Sequence, residues 1–282
     1  MTINRKQAPP IVDAVNFNLQ LKPYQAYTLR NGVPVYAVNA GAEEVIQLEW
    51  VFFAGNNQEE QNLVAATTNF LLRNGTNTKT AFQLNEYFEY YGAYVNRACY
   101  NETATISMHC LSKHIGELLP VVKEMITEST MPSEELAIYQ QNMKQRLKVS
   151  LKKSDFVAGR LIDTYLYGEK HPYGKYSCAE DFDALERDQL LQYYNQYYTQ
   201  GKLMLFVAGK LPENINLLLD QHFGDLPNHP VEVKEHQIVL AQEKKYRITN
   251  DPNGVQGSIR IARTFPNRHH PDFLKVQVLN AL

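Results

Sequence analysis

Short segments in which apolar and polar side chains alternate place the tightest limit on the fold of this chain. Residues 103–110 put Ala104, Ile106, Met108 and Cys110 on one face and Thr103, Thr105, Ser107 and His109 on the other. Residues 45–53 set Ile46, Leu48, Trp50 and Phe52 against Gln47, Glu49 and Val51. Side chains of a β-strand point to opposite faces in turn, so both segments are predicted strands with one buried face.

Turn signals join these strands into hairpins. Asn31-Gly32 lies between residues 27–29 and 33–38, and an Asn-Gly pair between two apolar runs is typical of a tight hairpin turn. Residues 94–100 and 103–110 predict a second hairpin, and residues 202–208 predict a further strand. Because the strands of a hairpin run in opposite directions, we expect a mostly antiparallel sheet.

Apolar residues at steps of three and four predict helices between the strands. The predicted helices cover residues 61–73, 80–91, 112–128, 133–151, 156–167 and 188–198, and a last one includes residues 217–223. Ser112 is the expected N-terminal cap of the third helix. This order of hairpins and helices predicts the fold class α+β, with a mostly antiparallel sheet and helices packed on one face.

The segment at residues 61–76, QNLVAATTNFLLRNGT, has the surroundings of a metal-binding helix. It follows two acids, ends at Arg73-Asn74-Gly75, and precedes another predicted helix. This order of parts resembles the M16 (pitrilysin/insulinase) family of zinc peptidases, whose active members carry the inverzincin motif H-x-x-E-H shortly before a Gly-Thr pair. The resemblance implies an M16-like (LuxS-like) domain, and the segments KLMLFVAGKL and PENINLLLDQHFGDLP extend it to residue 227.

The residues that would bind zinc in this family are missing here. Measured from Gly75-Thr76, the two ligand positions fall on Ala66 and Phe70, and the base position falls on Asn69. A methyl group and a phenyl ring do not bind zinc. The resemblance therefore implies the fold without its chemistry. We predict no catalytic residue, no metal ligand and no cofactor, and we expect Ala66 and Phe70 to be core residues of a packing helix.

The helix expected to supply the third ligand carries cations in place of acids. It begins with PSEEL at residues 132–136, and no Asp or Glu follows between residues 136 and 154. Its charged residues there are Lys144, Arg146, Lys148, Lys152 and Lys153. A run of cations repels a metal ion. The stretch has two readings: a solvated helix face, or a patch that meets an acidic partner or peptide.

The histidines and cysteines do not predict a second metal-binding or catalytic site. His109 and His114 straddle a strand–helix boundary and are expected to be solvated or capping, and His171 is expected to support a turn. The remaining histidines are spread over a helix end, a linker and a helix entry: His222, His229, His236, His269 and His270. Cys99, Cys110 and Cys178 lack any zinc-like spacing.

The character of the chain changes after Pro227. Residues 1–228 are predicted to form a complete M16-like N-terminal domain with an extended leader at 1–23, and the polar residues 229–243 a linker. Residues 245–249 and 257–264 look like strands and residues 273–282 like a helix. Because family members join two similar domains, we expect residues 244–282 to begin a second, truncated M16-like domain.

Composition limits the expected partners and the expected cellular compartment. The net charge of −2 gives no reason to expect nucleic acid or a membrane surface as a partner. The chain has three cysteines, and its first residues lack the apolar stretch of a signal peptide. Because an odd number of cysteines without such a signal favours reduced thiols, we expect a cytoplasmic protein.

Three functional hypotheses follow from the resemblance. The first is a catalytically inactive subunit that works with an H-x-x-E-H-bearing zinc peptidase subunit, or pairs with itself as a homodimer, around an extended peptide substrate. Its own contribution would be an Arg/Tyr pair from the second domain. The second is a purely structural M16-like scaffold with no proteolytic role. The third is a peptidase with a rebuilt metal site, for which the sequence offers no ligands.

Overall fold

The computed structural model describes residues 20–232, 234–236, 238, 254–265 and 267–281, and within them one six-stranded sheet. The strands are β1 Gln25–Thr28, β2 Pro34–Asn39, β3 Val45–Phe52, β4 Tyr94–Cys99, β5 Ala104–Leu111 and β6 Leu203–Gly209. Their order across the sheet is β1-β2-β6-β3-β5-β4, so β1 and β4 are the edge strands.

Both predicted hairpins form. β1 runs antiparallel to β2, and the turn between them places Gly32 at φ +82°, a left-handed conformation that glycine adopts without a Cβ clash. β4 runs antiparallel to β5, with Tyr94 opposite His109. β6 returns from the helices to lie between β2 and β3, parallel to the first and antiparallel to the second. The sheet is therefore mostly antiparallel, as predicted.

Helices cover one face of the sheet. Those preceding residue 232 are α1 Val64–Leu71, α2 Ala81–Tyr90, α3 Ile115–Thr127, α4 Ser133–Ser150, α5 Ser154–Tyr167, α6 Ala179–Asp183, α7 Arg187–Tyr194 and α8 Ile215–Phe223. A later helix, α9, spans Phe273–Ala281. Among the described residues, no helix combines the length and apolar character needed to cross a bilayer.

The hydrophobic core lies between the sheet and these helices. The four apolar residues of β3 that alternation assigned to the buried face are each at most 1% exposed. Trp50 packs on Phe223 of α8 with 5.4 Å between ring centroids, and Phe52 packs on Tyr198 at 4.7 Å. Burying side chains of this size contributes roughly 1.5–3 kcal/mol each. The opposite face of the sheet is more open, and Phe206 of β6 is 40% exposed there.

Several local expectations are corrected. Ser112 does not cap α3: it lies in a 3₁₀ turn, Ser112–His114, and its hydroxyl donates to the Lys210 carbonyl at 2.7 Å. Leu151, expected on the apolar stripe of α4, is 46% exposed because α4 ends at Ser150. Helix α6 was not predicted, since five residues are too few to show a helical period.

The chain after Pro227 follows the predictions only in part. The helix expected at residues 273–282 is present as α9. Residues 257–264, which were predicted to be a strand, form none in the part of the chain that the structure describes. The strand expected at residues 245–249 lies outside the described residues. The predicted division into two domains stays a prediction.

The first residues of the predicted linker bind to the sheet domain. The Gln58 amide donates to the Glu232 carbonyl at 3.0 Å, and Lys234 Nζ donates to the Gln58 carbonyl at 2.8 Å. The His236 ring lies 3.1 Å from the Asn57 carbonyl and 5.7 Å from the ring of His171. Glu232, Lys234 and His236 thus contact the 3₁₀ turn Asn56–Gln58 and the loop after α5.

Candidate functional site

A buried carboxylate fixes the start of α1, the helix that resembles a metal-binding helix. Glu59 Oε2 accepts a hydrogen bond from the Ala65 N–H at 3.0 Å, which satisfies one of the free donors in the first turn. Glu59 Oε1 lies 2.8 Å from Lys175 Nζ, and the Glu59 side chain is only 1% exposed. Charge pairing and a backbone hydrogen bond therefore hold this helix against the loop that carries Lys175.

The buried face of α1 is not the one expected. Ala65, Thr68, Asn69 and Leu72 are buried and recur at steps of three and four, which puts them on one side of the helix. Ala66 is only half-buried, and Phe70 is 38% exposed. The expectation that Ala66 and Phe70 are core residues is therefore wrong. These two former ligand positions lie on the side of α1 that borders solvent.

Asn69, which corresponds to the catalytic base in the resemblance, cannot take part in proton transfer. Asn69 is 2% exposed, and its side-chain amide donates to the Thr105 carbonyl of β5 at 3.3 Å. A carboxamide does not titrate near neutral pH and cannot accept a proton as a base, and this one links the helix to the sheet. With a methyl group, a phenyl ring and a bound amide in place of H-x-x-E-H, the residues of α1 do not fit a zinc ion.

Helix α4 meets α1 through rings and not through a carboxylate. Tyr139 of α4 is buried, and its ring packs on Phe70 with 4.7 Å between centroids. Glu135, one turn earlier, is bound by the Asn74 amide at 2.7 Å. Among the described residues, no three His, Cys, Asp or Glu side chains lie close enough to share a metal ion. An aromatic contact thus joins α4 to Phe70, one of the two positions that correspond to metal ligands in the resemblance.

Two arginines lie at the C-terminal end of α1, and the sequence did not single them out. Arg97 of β4 donates from Nη1 to the Phe70 carbonyl, and its guanidinium lies 4.8 Å from the centroid of the Phe70 ring. Arg73 donates from Nη1 to the Val95 carbonyl at 2.9 Å. Burial, and then the charge of Arg73, lower the pKa of Arg97 to about 9. The site is therefore cationic even without a metal.

The outer edge of β4 presents free backbone groups beside these arginines. The Tyr100 N–H donates to the Thr103 carbonyl at 2.7 Å, which fixes which residues of β4 face β5. Antiparallel pairing alternates, so Val95, Arg97 and Cys99 point their N–H and C=O groups away from β5. The Val95 carbonyl is used by Arg73. In the described chain no strand lies outside β4, so the backbone of Arg97 and Cys99 faces an open edge.

The cysteine at this edge is not a nucleophile. Burial, followed by the charge of Glu59, raises the pKa of the Cys99 thiol to about 12. Its Sγ lies 3.3 Å from Asn56 Oδ1. A thiol with so high a pKa stays protonated at neutral pH, and the thiolate is the reactive form.

The histidines are placed as structural groups. His109 is exposed on the open face of the sheet, and the His114 ring packs edge-on against Tyr91 at 5.1 Å. His171 supports its turn as expected, because its Nδ1 accepts the Tyr173 N–H at 3.1 Å. The contact between His171 and His236 was not predicted, since the two residues are 65 positions apart and no local pattern links them.

The cationic stretch of α4 is mostly a solvated face. Arg146 and Lys148 are exposed, and Lys144 pairs with Asp183 of α6 at 2.5 Å. A groove of about 900 Å³ between α4 and the segment that starts α6 is lined by both cationic and apolar side chains, including Lys148, Leu151 and Arg160. The alternative, a patch for an acidic partner, is left untested by these contacts.

Comparison with known proteins agrees with the fold. A family model described as the peptidase M16 inactive domain matches residues 184–282. The uncharacterized zinc protease YmxG of Bacillus subtilis is 24% identical over 201 residues, covering 70% of this chain and 49% of that protein. The probable mitochondrial-processing peptidase subunit beta of Schizosaccharomyces pombe is 23% identical over 271 residues, covering 90% of this chain and 57% of that protein.

A solved structure shares the fold. The crystal structure of a peptidase M16 inactive domain from Pseudomonas fluorescens matches with a TM-score of 0.71 and 24% identity, covering 77% of this chain and 54% of that one. The chain thus spans about half the length of the relatives it matches. The family model over residues 184–282 and the zinc protease relatives make this chain similar in sequence to M16 peptidases, and the solved structure shares its fold.

Proposed function

We propose that this protein is a non-catalytic M16 subunit that binds extended peptides for a partner subunit carrying H-x-x-E-H. The observation that carries the proposal is the state of α1. Its ligand positions Ala66 and Phe70 border solvent beside the open edge of β4, while Asn69 is bound to the sheet. This arrangement supports peptide binding at the edge of the sheet without a set of metal ligands.

The open edge supports peptide binding by strand addition. An extended peptide placed along β4 would exchange backbone hydrogen bonds with Arg97 and Cys99, whose N–H and C=O groups point outward. Backbone pairing of this kind gives affinity without demanding one sequence. A subunit that holds substrates of varied sequence needs this property.

The partner would supply the zinc ion and the base. Relatives of this chain include a protein named as a peptidase subunit, and the chain spans about half the length of the relatives it matches. We propose a heteromeric assembly in which the catalytic subunit closes over the same peptide. We also propose a cytoplasmic setting, where the three free thiols would stay reduced.

The test combines co-purification with a variant that blocks the edge. The chain is purified from its native host, and the H-x-x-E-H protein recovered with it is assayed on a fluorogenic peptide alone and after mixing. We expect no hydrolysis by the chain alone and at least about a tenfold gain on mixing, as for a subunit that positions substrate. Cys99→Pro removes an outward N–H and should abolish the gain, whereas Cys99→Ala should keep it.

Three results would contradict the proposal. Hydrolysis by the isolated chain that a chelator abolishes would establish a rebuilt metal site. A stable complex without any gain in hydrolysis, and without peptide binding by this chain, would establish the scaffold role. If wild type and Cys99→Pro, both shown by circular dichroism to be folded, gave an equal gain in hydrolysis, the peptide would not bind along β4.

A further inference from the structure

Arg97 is held in a defined position at the edge of the sheet. Its Nη1 donates to the Phe70 carbonyl and to Asn74 Oδ1, the second at 3.3 Å. The guanidinium lies over the Phe70 ring, 4.8 Å from its centroid, and Tyr139 packs on the same ring. These contacts fix the side chain before any ligand arrives, so little rotamer freedom remains to be lost on binding.

Among the described residues, no carboxylate pairs with the positive charge of Arg97. Neither Arg97 nor its neighbour Arg73 takes part in any ion pair within the described residues. Glu89 acts on Arg73 only as a more distant charge. Arg97 Nε is buried and makes no hydrogen bond. Two neighbouring cations that are partly removed from water and lack an anion are unfavourable, and an incoming anion would relieve this.

One donor of Arg97 remains available to a ligand. Nη2 makes no hydrogen bond in the part of the chain that the structure describes, and it is not among the fully enclosed atoms. The Phe70 ring beneath it is 38% exposed. A free guanidinium nitrogen above a half-exposed ring, at the edge of the sheet, is suited to a carboxylate on an extended chain.

The direction of the side chain relates this donor to a bound peptide. Arg97 shares the helix-side face of β4 with Val95, and its own N–H and C=O point to the open edge. In an added antiparallel strand, the residue opposite Arg97 has its Cβ about 5 Å away on the same face. That residue's side chain would therefore approach Nη2 and the Phe70 ring.

We propose that Arg97 selects peptides with an Asp or Glu at the position opposite it in the strand added to β4. The proposal rests on the proposed function, since it assigns a substrate preference to the same edge. In this proposal Phe70, at a position that corresponds to a metal ligand in the resemblance, holds the guanidinium of Arg97 in place. Arg97 then binds the carboxylate of the peptide. The ligand proposed for Arg97 is a peptide segment bound along β4. The test distinguishes it from a free small carboxylate.

The test passes a pool of end-blocked random octapeptides over the immobilised protein and reads the retained peptides by mass spectrometry. We expect retained peptides to be enriched in Asp and Glu by about tenfold over the input, the factor that one charge-assisted hydrogen bond provides. Arg97→Met should lose the enrichment, and Arg97→Lys should keep part of it. Lys22→Met, which removes an exposed cation just before β1 at the opposite edge of the sheet, should behave as wild type. Added acetate at millimolar concentration should not release the peptides.

Each contrary result has a separate meaning. Peptides retained without acidic enrichment would overturn the carboxylate preference and leave peptide binding in place. Retention no greater than on an empty column would overturn both proposals. Enrichment that survives in folded Arg97→Met, or release of acidic peptides by acetate alone, would overturn the assignment to Arg97 on an added strand.

Discussion

At the scale of single residues, the organisation of α1 depends on Glu59. Its carboxylate is 1% exposed, pairs with Lys175 and accepts the Ala65 N–H. We expect Glu59→Ala to lower the free energy of unfolding by about 3 kcal/mol, because a buried partner and a helix cap are both lost. Glu59→Gln keeps an acceptor for Ala65 and should cost less. Urea denaturation with matched m-values measures both.

An exposed ion pair provides the control for this prediction. Glu44 pairs with Lys210, and their side chains are 65% and 49% exposed. Glu44→Ala should change the free energy of unfolding by less than about 1 kcal/mol, since water screens such pairs. If Glu59→Ala cost no more than Glu44→Ala, the view that Glu59 anchors α1 would be wrong.

At the scale of elements, Gly75 follows α1 and lies against Pro132, the residue before α4. It has φ +145°, and a Cβ there would lie 2.9 Å from Pro132 Cγ. We expect Gly75→Ala to destabilise the protein by about 1–3 kcal/mol through backbone strain and this contact. Gly116→Ala is the matched control: Gly116 lies in α3 with open space around it, so this change should stabilise by roughly 0.5–1 kcal/mol. Thermal unfolding measures whether each variant is less or more stable than wild type.

The same scale shows what the sequence could and could not predict. The faces of β3 and β5 were predicted correctly, because a two-residue period leaves only two choices. The buried face of α1 was not, because eight residues that include Ala65, Ala66, Thr67 and Thr68 give little contrast between sides. Phe70 was taken as a core residue from its apolar character. Its exposure and its contact with Arg97 depend on β4, 27 positions later, which no local pattern reports.

At the scale of the whole molecule, the chain after Pro227 is tied to the sheet domain through a histidine contact. His171 accepts the Tyr173 N–H through Nδ1, and the ring of His236 lies beside it. Burial, and then the charge of His236, lower the pKa of His171 below its ordinary value of 6.5. Only the neutral ring keeps Nδ1 as an acceptor, so the folded state disfavours the protonated form.

This arrangement predicts that acid weakens the attachment of residues 232–236. Because the folded-state pKa of His171 is lowered, the stability it contributes is present above pH 6.5 and is lost as the pH falls through the folded-state value. We expect amide hydrogen exchange in residues 232–236, corrected for intrinsic rates, to rise relative to the rest of the domain between pH 7.5 and 5. His236→Gln should reduce this pH dependence, and His109→Gln, on the exposed face of the sheet, should leave it unchanged. A uniform rise across the domain, or no rise in residues 232–236, would show that the histidine contact does not govern how the following segment is held.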